Sequence, residues 1–145
     1  MDKKIEVTAT ALLRKKDNNI FLHQSPKWQD KWVAPGGRLN YGETIVAGVK
    51  RETKEETGYE INPLSIVNVI GSINPPKYNR PAHFIHIHFL CELIGGNYRP
   101  DKKEVINGRW FSIEDALEIT DGSMRKSILN LKEGKYLDIV DLDSI

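Results

Sequence analysis

The chain has 145 residues, 39% hydrophobic and 28% charged, which is typical of a globular protein with one compact domain. Twenty-one Lys and Arg residues nearly balance twenty Asp and Glu residues, which argues against a protein that coats nucleic acid or a membrane surface. The single cysteine, Cys91, excludes an internal disulfide, and no segment approaches the ~20 apolar residues of a membrane span. We therefore expect a cytoplasmic protein in which Cys91 is buried on a strand.

The first third of the chain alternates between apolar runs and turn signals. Residues 5–13 are rich in β-branched side chains and predict a strand, and residues 20–23 predict its hairpin partner. Residues 25–30 predict a polar loop. Residues 32–34 form a short apolar run that ends at Pro35-Gly36-Gly37, which is a strong turn signal.

Helical spacing begins at Glu43 and continues to Thr57. Gly58 follows directly and predicts a left-handed cap at the end of the helix. The apolar positions at intervals of three and four residues predict one modest buried face, made of Ile45, Val46, Val49 and Thr53.

The second half of the chain predicts more strand than helix. The predicted strands are residues 64–73, 82–94 and 108–111. Ser112 predicts the N-cap of a helix, with Asp115 in the position that Glu or Gln usually takes in a capping box. A last helix is predicted over residues 123–131. Strands interspersed with helices predict one α/β domain, a mixed β-sheet flanked by helices.

Three acidic residues share one face of the helix predicted at 43–57. Glu52, Glu55 and Glu56 lie at i, i+3 and i+4, a spacing at which like charges destabilise an isolated helix. One interpretation is a solvated charged face. The other is a site for a hard divalent cation such as Mg²⁺, which prefers carboxylate oxygens.

Two features near this helix favour the cation site. Gly36 and Gly37 come just before it, and glycine lets the backbone approach a metal ion or a phosphate closely. Glu43 and Arg51 are eight residues apart, about two helical turns, and predict an ion pair along the helix.

The fixed residue types and their spacing carry a resemblance to a known family. The residues concerned are Gly37, Glu43, Arg51, Glu52, Glu55, Glu56 and Gly58. Their order resembles the Nudix box of the Nudix hydrolases, which here covers residues 37–59. Two positions depart from the usual box, because Thr53 replaces a bulky aliphatic residue and Gly48 replaces a small Ala.

The resemblance implies a fold and a division of roles. It implies an α/β/α sandwich in a single Nudix hydrolase domain over residues 1–145, and Mg²⁺ as cofactor with Mn²⁺ as a substitute. The implied metal ligands are Glu52, Glu56, Glu55 and the carbonyl of Gly36. The implied catalytic residues are Glu55, Glu52 and Glu104, the last in the loop before the final strand. Glu43 and Arg51 would form the orienting ion pair, and Arg38 would face substrate phosphates.

The implied reaction is attack of water on a nucleoside diphosphate linked to a second group. Trp28 and Tyr78 are candidates for contact with a base. Similarity to the MutT-like branch favours a nucleoside triphosphate that is cleaved to a monophosphate and pyrophosphate. Pro75 lies sixteen residues beyond Tyr59 and favours the alternative, ADP-ribose or a nucleotide sugar. A nucleotide sensor without catalysis is a third alternative, and a monomer and a homodimer both stay open.

Three histidines lie close together in the segment 82–94. His86 and His88 alternate with apolar residues and share one strand face, whereas His83 has the opposite parity. This spacing favours a half-polar strand face over a zinc site, with the substrate pocket as another place for these side chains.

Overall fold

Seven strands form one mixed sheet with three helices against it, in a computed structural model that describes residues 3–141. The strands are β1 (Ile5–Arg14), β2 (Ile20–Ser25), β3 (Lys31–Val33), β4 (Gly36–Arg38), β5 (Tyr59–Ile73), β6 (His83–Gly96) and β7 (Ile106–Phe111). The helices are α1 (Ile45–Thr57), α2 (Ile113–Ile119) and α3 (Gly122–Glu133). Within the described residues, no helix is both long and apolar enough to cross a membrane.

Strand β1 changes partner along one of its edges. Its other edge pairs in parallel with β6 over its full length. On the changing edge, Thr8–Thr10 pair antiparallel with β4, whereas Arg14 pairs with Ile20 of β2. The sheet therefore divides between β4 and β2, and backbone from both strands borders the opening.

Two apolar clusters lie on opposite faces of the sheet. On β1, Ala9, Ala11 and Leu13 pack in the cluster that includes Val49 of α1. Leu12 points to the other face and packs with Ile128 of α3. This alternation confirms the predicted mixed sheet with helices on both faces. Cys91 is fully buried, as predicted.

Two predictions near a proline or a glycine were wrong, one of a turn and one of the start of a strand. Pro35-Gly36-Gly37 was predicted as a turn, but Gly36–Arg38 form β4. Gly36 pairs with Thr10 at close range, since a Cβ on it would lie 2.7 Å from the Thr10 Cα. The strand predicted at 64–73 begins at Tyr59, because Pro63 lies at a register shift where its missing N–H is tolerated.

The helix boundaries differ slightly from the predicted ones. α1 begins at Ile45 rather than Glu43, because the Thr44 hydroxyl accepts a hydrogen bond from the Ala47 N–H at 3.1 Å and caps the helix. Gly58 ends it with φ of 81°. The predicted loop at 25–30 contains a short 3₁₀ turn, Pro26–Trp28. Of the four residues of the predicted buried face, Val49 and Thr53 are buried, whereas Ile45 and Val46 are half-buried.

The segment after α3 runs back to the start of α1. Leu137 pairs with Ile66 of β5 in an isolated bridge. The Asp141 carboxylate then accepts hydrogen bonds from the Val46 N–H at 2.9 Å and the Ile45 N–H at 3.4 Å. A carboxylate at this helix end satisfies free N–H groups and complements the positive end of the helix dipole.

Replacement of Asp141 should destabilise the fold measurably. Asp141→Ala removes the charge and both hydrogen bonds, so we expect the free energy of unfolding to fall by about 1 kcal/mol. Asp138→Ala is a matched control, since Asp138 is an exposed carboxylate in the same segment. Urea unfolding of both variants measures the difference, and equal stabilities would contradict the capping role.

Candidate active site

A cavity of about 410 Å³ lies where the sheet divides between β4 and β2. Side chains of β1, β2 and β6 form part of its wall, and the acidic face of α1 closes one end. Aromatic side chains from the 3₁₀ turn and from the segment before β6 close another part. The cavity therefore combines carboxylates with a flat apolar surface, in a volume typical of small-ligand sites.

Glu56 is the most enclosed of the three glutamates on α1, with its side chain 13% exposed. Its Oε1 accepts a hydrogen bond from the Gly36 N–H at 2.9 Å, which fixes α1 against β4. The pKa of Glu56 is raised to about 8, chiefly by burial. The nearby Glu52 and Glu104 carboxylates contribute to the rise, whereas the Gly36 hydrogen bond and Lys27 oppose it.

His23 of β2 lies beside Glu56, with 3.7 Å between His23 Nε2 and Glu56 Oε2. Burial lowers the pKa of His23 to about 4, so the imidazole is neutral and does not balance the glutamate charge. Its Nδ1 has no hydrogen-bond partner within residues 3–141. Sequence reasoning missed His23, because a single histidine on a hairpin strand carries no spacing signal.

Arg51 connects the other acidic residues. Its guanidinium donates to both carboxylate oxygens of Glu43, at 2.6 and 2.9 Å, in the two-pronged geometry that arginine favours. It also donates to Glu52 at 2.8 Å and to Glu55 at 3.3 Å. The Arg51 hydrogen bond holds the pKa of Glu43 below its usual range. A further bond to the Arg38 carbonyl, at 3.0 Å, attaches the helix to β4.

Gly37 gives Glu52 the space it occupies. A Cβ atom on Gly37 would overlap the Glu52 carboxyl group, so only glycine allows this close approach. The two glycines of β4 therefore have different structural roles. Gly36 offers its N–H to Glu56, and Gly37 leaves room for Glu52.

The carboxylates of α1 are suitable oxygen donors for a cation, but they do not form a preorganised metal site. No three His, Cys, Asp or Glu side chains within residues 3–141 form a group already placed to hold a metal ion. The reason is visible at Arg51, which engages Glu52 and Glu55. Glu56 differs, because it is a buried carboxylate whose nearest basic neighbour is the neutral His23. Burial favours the protonated form of Glu56, and a hard divalent cation, which prefers oxygen donors, would favour its charged form.

Glu104 lines the same cavity and lies in the turn before β7. Its carboxylate forms an ion pair with Lys27 at 2.5 Å, and this contact raises the pKa of Lys27. The turn that carries Glu104 is attached to the end of α1, since the Asp101 N–H donates to the Glu56 carbonyl at 3.0 Å. The structure thus brings Glu104 to the same cavity as the α1 glutamates.

Aromatic rings form the wall beyond Lys27. The ring centroids of Trp28 and Tyr78 are 4.6 Å apart, and those of Tyr78 and Phe84 are 5.0 Å apart. His86 lies against Phe84 at 4.8 Å between centroids. A hydrogen bond from the Asn79 N–H to the Lys27 carbonyl, 2.9 Å long, holds the two loops together. His88 also lines this cavity, whereas His83 does not.

Arg38 lines the cavity, with an exposed guanidinium that donates to Glu6 at 3.1 Å. Arg80 donates to the same Glu6 carboxylate at 2.7 Å and lowers its pKa. Lys31 is paired with Asp121 at the α3 side of the cavity. Basic groups therefore surround a cavity whose end is acidic.

Comparison with known proteins gives several curated relatives of similar sequence. An ADP-ribose pyrophosphatase of Methanocaldococcus jannaschii is 36% identical over 93 residues, 61% of this chain and 53% of that protein. The NAD-capped RNA hydrolase NudC of Vibrio atlanticus is 33% identical over 98 residues, 67% of this chain and 34% of that protein. An 8-oxo-dGTP diphosphatase of Proteus vulgaris is 28% identical over 96 residues, 64% of this chain and 86% of that protein.

Solved structures share the fold. The NUDIX hydrolase from Nitrosomonas europaea has a TM-score of 0.76 and 21% identity, over 94% of each chain. The chain spans about a third of the length of the first curated relatives that it matches. The family model for the NUDIX domain matches residues 4–131, which include all of the cavity described above. The chain therefore belongs to the NUDIX domain family.

Proposed function

We propose that this chain hydrolyses a phosphoanhydride bond in a nucleoside diphosphate linked to a second group, with the help of Mg²⁺. The observation that carries the proposal is that Glu52, Glu55 and Glu56 meet Glu104 in one cavity, next to an aromatic wall. Carboxylates suit the cation that a diphosphate needs, and flat rings suit a base.

The glutamates would hold the cation through oxygen. Glu56 would be the fixed ligand, because the Gly36 N–H orients its carboxylate and a bound cation would favour the charged form that burial disfavours. Glu52 and Glu55 would turn from Arg51 toward the cation, with the Gly36 carbonyl as a further donor. When bound, Mg²⁺ or Mn²⁺ supplies positive charge that offsets the phosphates and makes water a better nucleophile.

Either Glu55 or Glu104 would accept the proton of the attacking water. Glu55 is exposed on α1, and Glu104 lies in the turn before β7 in contact with Lys27. A carboxylate that can reach the water promotes attack by removing its proton. Arg51, held by Glu43, would keep the acidic residues apart and oriented throughout.

A nucleoside triphosphate is the substrate that we favour, cleaved to a monophosphate and pyrophosphate. Lys27, Lys31 and Arg38 line the cavity and offer positive charge to a chain of phosphates. The relative from Proteus vulgaris, of which this chain covers 86%, is named an 8-oxo-dGTP diphosphatase. Trp28 and Tyr78 would hold the base.

ADP-ribose or a nucleotide sugar is the second candidate. Pro75 supports it through the family resemblance, since it lies sixteen residues beyond Tyr59. The relative from M. jannaschii is named an ADP-ribose pyrophosphatase. A sensor without catalysis would not need all three glutamates of α1, and all three are present.

Isosteric changes in the acidic residues should remove activity and leave the fold intact. Glu56→Gln and Glu52→Gln keep the side-chain shape but remove a charge that the cation requires, so we expect turnover to fall about 100-fold or more. Glu118→Gln is the control, because Glu118 is exposed on α2 away from the cavity. Steady-state assays with Mg²⁺, together with thermal unfolding, measure both effects, and near-normal activity in Glu56→Gln would refute the metal site.

Product analysis should separate the two substrate candidates. We expect nucleoside triphosphates, including 8-oxo-dGTP, to give a monophosphate and pyrophosphate in the presence of Mg²⁺, because the lysines of the cavity favour a polyphosphate chain. Chromatography of the products after incubation with triphosphates, ADP-ribose and UDP-glucose measures this. Cleavage of ADP-ribose with no pyrophosphate released from any triphosphate would overturn the preferred substrate.

A further inference from the structure

His88 lies on β6 and lines the same cavity. Its strand partners are Thr10 of β1 and Asn68 of β5, which place it in the middle of the sheet. The residue is 4% exposed. A nearly buried imidazole in a ligand cavity raises the question of which of its nitrogens carries the proton.

The contacts of the Ser127 hydroxyl on α3 determine which nitrogen of His88 carries the proton. The Ser127 hydroxyl oxygen lies 3.0 Å from Asn68 Nδ2, 3.0 Å from the Ser123 carbonyl and 2.7 Å from His88 Nδ1. An amide nitrogen only donates and a carbonyl only accepts, so the single hydroxyl proton of Ser127 goes to Ser123. All three contacts are satisfied only when His88 Nδ1 carries a proton and donates it to Ser127.

The other nitrogen of His88 is therefore a lone-pair acceptor. Burial lowers the pKa of His88 to about 3, so the ring stays neutral in the physiological range. The buried side-chain polar atoms without a partner in residues 3–141 are His23 Nδ1, Thr53 Oγ1 and Ser65 Oγ. His88 Nε2 is not among them and has no hydrogen-bond partner within that range, so it is accessible, and the cavity that His88 lines is where that access lies.

The surroundings of His88 indicate what it would bind. A lone pair repels phosphate oxygens, so His88 Nε2 does not suit the phosphate chain. His86 is 6.3 Å from His88 between ring centroids, and Phe84 and Trp28 continue the aromatic surface. Flat rings beside a fixed acceptor suit a heterocycle that presents an N–H group in its plane.

We propose that His88 is a specificity-determining residue whose Nε2 accepts a hydrogen bond from an N–H group of the nucleobase. Asn68, Ser127 and Ser123 are positioning residues, because they fix the tautomer. The proposal rests on the proposed function in that it takes the substrate to be a nucleotide. This role accounts for a buried histidine beneath α3 whose Nδ1 is hydrogen-bonded to Ser127.

Two variants of His88 separate its two nitrogens. His88→Asn keeps an amide NH₂ near the Nδ1 position for Ser127 but has no atom at the Nε2 position. His88→Gln places an amide oxygen within reach of the Nε2 position. For His88→Asn we expect KM to rise on the order of 10- to 100-fold with little change in kcat, and for His88→Gln a partial recovery. A role in packing alone would lower thermal stability without this split, and an unchanged KM in His88→Asn would overturn the proposal.

Nuclear magnetic resonance of the wild-type protein tests the tautomer without any variant. In protein labelled with ¹⁵N-histidine, we expect a protonated Nδ1 and a lone-pair Nε2 for His88 from pH 5 to 8. Addition of the α,β-methylene analogues of ATP or GTP should shift the Nε2 resonance. A protonated Nε2, or no shift when an analogue binds, would refute the role of His88. If an analogue binds and shifts Nε2 but no nucleotide is hydrolysed, the catalytic proposal fails and the His88 proposal stands.

Discussion

The site depends on one partly buried hydrogen bond, from the Gly36 N–H to the Glu56 carboxylate. It joins the last turn of α1 to β4, at the place where β1 changes partner. The Glu56 carbonyl is used as well, since it accepts a hydrogen bond from Asp101 and so positions the loop of Glu104. Burying the Glu56 carboxylate beside the neutral His23 costs free energy. A bound cation would offset this cost.

Arg51 makes the acidic face stable before any cation arrives. Glu52, Glu55 and Glu56 would repel one another on α1, and Arg51 offsets this by bonding two of them and Glu43. The same contacts engage Glu52 and Glu55, and no three acidic, His or Cys side chains within residues 3–141 are grouped to hold a metal ion. The ion pairs are partly exposed and therefore weak, so they would cost little to break if a cation bound these carboxylates.

The sequence predicted those parts that have a local signal. The α1 helix, its Gly58 cap and the Ser112 cap follow from periodicity and cap chemistry, and these were right. The parallel pairing of β1 with β6 and the role of Gly36 in a strand were not predictable, because they depend on contacts between distant segments. The contacts of His23 and Asp141 depend in the same way on partners far along the chain, which spacing cannot reveal.

Binding of Mn²⁺, followed by electron paramagnetic resonance of the free ion, tests the central claim most directly. The claim is that Glu56 is the fixed oxygen donor of a cation site on α1. The account predicts that wild-type protein takes up Mn²⁺ and that Glu56→Gln binds it at least about tenfold more weakly, while both remain folded. Equal Mn²⁺ affinity in the two proteins would contradict the account.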